Sequence, residues 1–141
     1  MSTGILIMAH APLASALRST VLHALQDCAP LLVAVDVRAD APPAQTLAQA
    51  QAALKSLQAD EVLIVADVVG ATPCNVANQL AASVSQPRCR VLAGANVPML
   101  LRAGTYCSGQ GLDALLQRVR EGGIQGVLEC TPLPTSSSVP T

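Results

Sequence analysis

The chain reads as an α/β domain: a doubly wound, mainly parallel open sheet with helices on both faces. Three observations predict it. Short, continuous apolar runs of about five residues recur along the chain, too short for helices and suited to strands buried on both faces. Stretches with helical spacing of apolar residues separate them. Strand and helix alternate four times, the signature of right-handed crossovers in a parallel sheet. With 141 residues the chain is most simply one domain, read as 1–130, followed by a tail at 131–141.

The first run is Gly4-Ile-Leu-Ile-Met8, and His10 follows it. Pro12 opens a helix on which Leu13, Leu17, Val21 and Leu25 recur every four residues; Asp27-Cys-Ala-Pro30 ends it, because proline resists continuation. Leu31 to Val35 is the second strand. A polar connection from Asp36 leads to a helix over Pro43–Leu57, nearly all strong helix formers. The third strand, Val62 to Ala66, ends on Asp67. Gly70 and Ala71 then turn the chain into a helix, with Thr72 a good N-cap and Pro73 suited to the first helical position.

Arg88 to Ala93 is the fourth strand. Asn96 is placed to cap a short helix through Met99, Leu100 and Leu101, and Gly104 to Gly111 reads as a loop. Leu112, Leu115, Leu116 and Val119 mark another helix, which Gly122 and Gly123 are expected to stop. Ile124 to Cys130 is expected to be a last, antiparallel edge strand. Thr131 to Thr141 is Pro/Ser/Thr-rich and is expected to be disordered.

Composition removes several function classes. With no Trp, no Phe and one Tyr, the core must be aliphatic, and base stacking on single strands has no means. A net charge of -1 with scattered arginines gives no basic patch for nucleic acid. Mean hydropathy is high at +0.46, yet no run reaches the ~20 residues that cross a bilayer. The N-terminus enters a strand at once, so no signal peptide is expected. Five cysteines without a C-x-x-C pair argue against a disulfide framework and a thiolate zinc site, and point to the cytoplasm. No phosphate loop and no G-x-G-x-x-G indicates a nucleotide.

The candidate chemistry lies where such sheets bind ligands, beyond the carboxyl ends of the strands at the reversal of strand order. For an order 2-1-3-4, strands one and three are neighbours and His10 and Asp67 stand side by side. A carboxylate on one imidazole nitrogen fixes the tautomer and leaves the other nitrogen as an oriented nucleophile. Thr72, with the backbone N–H groups that open its helix, suits an incoming anion. Each feature alone has an ordinary structural explanation, such as a turn, a helix start or a cap. Their placement on one sheet edge favours phosphoryl transfer onto histidine. Cys74 reads as packing and His23 as surface.

These residues resemble a known family. Ile5-Leu-Ile-Met-Ala-His10, Val65-Ala-Asp-Val-Val-Gly-Ala-Thr-Pro-Cys-Asn-Val-Ala77 and Ala93-Gly-Ala-Asn-Val-Pro-Met-Leu-Leu101 resemble the mannose-type IIA domain of the bacterial phosphoenolpyruvate:sugar phosphotransferase system, over about residues 4 to 130. The resemblance implies a cytoplasmic phosphocarrier with no metal and no organic cofactor. His10 is then phosphorylated on Nε2 and Asp67 holds Nδ1. Gly70, Ala71 and Thr72 face the phosphate, and Asn96, Pro98 and Met99 form a site wall or partner surface. It further implies HPr as donor, a IIB component as acceptor, contact with the membrane only through a IIC/IID permease, and a homodimer that exchanges the C-terminal strand. The chain departs from the family pattern at Ala9 and Ala11, where glycines are common, and at Val69, where Trp is common. Thr72 stands for the commoner Ser and keeps the hydroxyl. A purely regulatory phosphoprotein and the IIA-like subunit of dihydroxyacetone kinase systems share this chemistry; the N-x-P-M-L element favours the mannose branch. A chelatase-like metal site needs a second ligand histidine, and His23 is poorly placed to be one.

Overall fold

The computed structural model describes residues 2–132. Four parallel strands, β1 (Gly4–His10), β2 (Leu32–Val37), β3 (Glu61–Ala66) and β4 (Arg88–Ala93), form one sheet in the order β2-β1-β3-β4. The helices are α1 (Leu13–Ala24), α2 (Pro43–Leu57), α3 (Thr72–Ser83), α4 (Val97–Tyr106) and α5 (Leu112–Gln125). A 3-10 turn at Gln26–Leu31, not expected from sequence, joins α1 to β2.

The continuous apolar runs are explained by two cores, one on each face. Ile5, Ile7, Leu63 and Val65 pack with Leu17 and Val21 of α1, Leu100 of α4 and Leu115 of α5. Leu6, Met8, Val62 and Ile64 pack with Leu54 of α2 and Leu80 of α3. Alternate strand residues therefore enter opposite layers, and both faces of the central strands are packed by apolar side chains. Each fully buried Leu, Ile or Val contributes roughly 1.5–3 kcal/mol of transfer free energy, so the aliphatic core stands without aromatics.

The C-terminal region differs from expectation. α4 runs on to Tyr106, so the first residues of the expected loop are helical. α5 continues through Gly122 and Gly123 to Gln125. These glycines do not stop the helix because they serve packing: a Cβ on Gly122 would strike Arg102, and one on Gly123 would strike Met99, both on α4. Ile124 and Gln125 are thus consumed by α5, and residues 126–132 carry no strand. The expected antiparallel edge strand at 124–130 is absent among the described residues, and the described sheet is entirely parallel. The tail beyond Pro132 lies outside the described residues.

Candidate active site

The strand order reverses between β1 and β3, and both end at the same edge. Met8 is in register with Ala66, so His10, the last residue of β1, and Asp67, the residue after β3, come to the same sheet edge. The His10 Nδ1–H donates to Asp67 Oδ2 at 2.6 Å, and the His10 backbone N–H donates to the same oxygen at 3.1 Å. The Val68 N–H donates to Oδ1 at 3.0 Å. A carboxylate only accepts, so the contact places the ring proton on Nδ1 and leaves the Nε2 lone pair of the neutral imidazole free. The His10 side chain is 51% exposed, whereas that of Asp67 is only 11% exposed. Partial burial pushes the Asp67 carboxyl up. Hydrogen bonds from the His10 ring and backbone, the attraction of His10 and the Val68 N–H outweigh it and hold the group below its ordinary value of 3.8.

The loop from Asp67 to α3 is open. Gly70 has φ +90°, a backbone angle that disfavours any side chain. Thr72 is the first residue of α3 and not its cap; Ala71 holds the cap position, with no side-chain bond. Pro73, in the second position, supplies no N–H, so the shift costs the helix little. Its consequence is that the Thr72 hydroxyl is not spent on the helix, and the backbone N–H groups of Gly70, Ala71 and Thr72 find no acceptor among the described residues. Thr72 and His10 line one hollow of about 370 Å³, together with Val37, Arg38 and Pro43.

Asn96 belongs to another contact. Its Oδ1 accepts from the Met99 N–H at 2.9 Å, capping α4 as expected, and its Nδ2 donates to the Gly123 carbonyl at 3.0 Å. Pro98 packs at Gly126 and Met99 at Gly123. Asn96 and Met99 line a separate hollow at the end of β4, with Arg120 and Ile124. Within the chain the motif Asn96-Val-Pro-Met99 therefore seats α4 on α5, and these three residues are not gathered with His10 and Thr72.

Sequence reading missed Asp36. Its carboxylate accepts from the Ser15 N–H at 2.9 Å and the Ser15 hydroxyl at 2.6 Å, closing the N-terminus of α1 beside the histidine. An acidic residue near the end of a buried strand was the available signal, the same one that marks Asp67. His23 lines a hollow with Asp27, Cys28 and Cys107, away from His10. Among the described residues, no group of three or more His, Cys, Asp or Glu is placed to hold a metal ion.

Fold and site together define a doubly wound α/β domain that presents a carboxylate-oriented histidine at its topological switch point. Residues 4–120 match the family model described as the PTS system fructose IIA component, and the chain belongs to that family, the IIA components of mannose- and fructose-type sugar phosphotransferase systems. Among solved structures it is similar to the mannose/sorbose-specific IIA subunit of Enterococcus faecalis, at 26% identity and a TM-score of 0.78, with 97% of this chain and 100% of that one covered. The phosphotransferase component EIIA of Streptococcus agalactiae shares the fold at 22% identity and a TM-score of 0.78, over 90% of this chain and 96% of that one. So does the PTS IIA protein associated with the fucose utilization operon of Streptococcus pneumoniae, at 16% identity and a TM-score of 0.76, over 92% and 96%. No curated protein sequence matches the chain.

Proposed function

We propose that the chain is a cytoplasmic phosphocarrier that takes a phosphoryl group onto His10 Nε2 from phospho-HPr and passes it to a IIB component. The observation that carries this reading is the 2.6 Å bond from His10 Nδ1 to Asp67, made by a side chain that is half exposed. The Nε2 lone pair attacks the phosphorus of the donor's phosphohistidine. A new N–P bond forms while the donor's N–P bond breaks, its electron pair returning to the donor ring. The His10 ring gains positive charge as it loses its lone pair, and the Asp67 carboxylate stabilises that charge. The Thr72 hydroxyl and the free N–H groups of Gly70, Ala71 and Thr72 receive the phosphoryl oxygens. Asn96, Pro98 and Met99 lie outside the hollow that His10 and Thr72 share, at the end of β4, and in this reading they belong to the partner surface. The reaction as written draws on no metal and no organic cofactor.

Among the described residues, no helix is long and apolar enough to cross a membrane, so membrane contact in this reading runs through a IIC/IID permease. The chain acts as a homodimer in which the C-terminal segment seats on the second copy. Ile124, Val127 and Leu128 support this, since they are 67%, 81% and 78% exposed, Ile124 shares a hollow with Leu92 and Ala93 of β4, and β4 is an edge strand.

Incubation with phosphoenolpyruvate, enzyme I and HPr should add one acid-labile phosphate per chain, and H10A should carry none. Persistent labelling of H10A would sink the assignment.

A further inference from the structure

We propose that Arg38 is a phosphoryl-binding residue of this site, held in reserve by Asp40 until His10 is phosphorylated. The inference rests on the phosphocarrier reading above. Val37, the last residue of β2, is in register with His10, and its carbonyl accepts from the Ala11 N–H at 2.9 Å. Arg38 is the next residue, and the turn closed by the Ala41 N–H on the Arg38 carbonyl holds it at that sheet edge. It lines the hollow that His10 and Thr72 share, and it is the one Lys or Arg among the residues lining it.

Most other arginines of the described residues are committed to the fold. Arg18 donates to the Leu32 carbonyl, Arg88 and Arg90 pair with Asp113, Arg102 reaches the Arg118 carbonyl, and Arg118 lies over Tyr106. Arg38 makes a single side-chain bond, from Nε to Asp40 at 3.3 Å, with the two side chains 69% and 76% exposed. Such a pair is long, solvent-screened and easily exchanged. Its terminal guanidinium nitrogens hold no acceptor among the described residues.

Phosphorylation places nearly two negative charges on a ring whose other nitrogen already bonds the Asp67 carboxylate. A planar guanidinium with free N–H groups matches phosphoryl oxygens better than one distant carboxylate oxygen does. Arg38 therefore leaves Asp40 and pairs with the phosphoryl group on Nε2. The exchange moves no atom between residues: one N–P bond still forms as the donor's breaks, and the guanidinium keeps its protons.

The test is the equilibrium partition of 32P between HPr and this chain, measured on the full chain with wild type, R38A and D40N. Arg38 pairing with phosphate stabilises the product, so R38A should lower the partition about tenfold, while D40N, which frees Arg38, should raise it. Adding salt should shrink both differences. A role confined to docking HPr would change the transfer rate and leave the equilibrium where it was. An R38A partition equal to wild type therefore overturns the proposal whatever the rate does. A D40N partition no higher than wild type overturns the exchange of partners. Thermal unfolding of both variants confirms that they are folded, as expected for exposed side chains. No label on His10 of the unaltered chain overturns this proposal and the phosphocarrier reading together; normal wild-type labelling with an unmoved R38A partition overturns this one alone.

Discussion

The N-termini of α1 and α3 lie at the same sheet edge, after neighbouring strands, and each carries a proline next to its start. They are finished differently. At α1 the Asp36 carboxylate fills the position an anion would take, with two bonds to Ser15. At α3 no side chain caps the helix, and no acidic residue occupies its first turn. One helix end is closed by a resident anion and the other is left open. Both have the partial positive charge of a helix N-terminus, so in the proposed transfer an incoming anion would find α3 open, on the Thr72 side of His10, and α1 closed.

Four substitutions and one pH dependence test that contrast. The largest effect is expected at the nucleophile itself, where H10A removes all labelling. Next is D67N, which keeps shape but loses the charge that fixes the ring; labelling should slow about 10²-fold, comparable with the loss of a positioned proton-holding group. Stopped-quench transfer from phospho-HPr measures it, and a rate near wild type would mean that the Nδ1 contact is only structural. Closing the open end comes third. T72A should slow transfer about fivefold, the worth of roughly one hydrogen bond. Opening the closed end is the converse: D36A should cost about 1 to 2 kcal/mol in urea unfolding, with labelling retained. Loss of labelling in folded D36A would erase the distinction between the two ends.

The smallest effect is a pH dependence. The Asp67 carboxyl is depressed in the folded chain. Its contribution to stability is thus complete above the unfolded value, near 3.8, and is lost as pH falls through the folded value. The urea midpoints of wild type and D67N should differ at neutral pH and converge below about pH 4. A gap that stays constant down to acid pH would show that the Asp67 bonds do not titrate with the fold.

The sequence made the sheet legible because burial on both faces leaves an uninterrupted apolar run, and because alternation of strand and helix restricts topology. His10 and Asp67 were legible for the same reason: a polar residue terminates each run, and topology brings β1 beside β3. What failed depended on contacts distant in sequence. Thr72 has the chemistry of a cap, yet the turn at Gly70 begins the helix one residue earlier and leaves that hydroxyl free. Gly122 and Gly123 have the look of a helix stop, but their lack of a side chain is used by Arg102 and Met99. That misreading also created the expected strand at 124–130. Asn96 was read both as a cap and as a site wall; within the chain one of its bonds caps α4 and the other joins α4 to α5.

The aliphatic core has an optical consequence. Tyr106 is the single aromatic residue of the chain apart from its histidines, and the Arg118 guanidinium lies 4.2 Å from its ring centroid, where α4 meets α5. Near-ultraviolet emission therefore reports on that helix contact and is blind to the His10 edge. The blindness is useful: a tryptophan placed at Val69, 77% exposed in the open loop, would shine against an almost dark protein and report arrival of a partner without a competing signal.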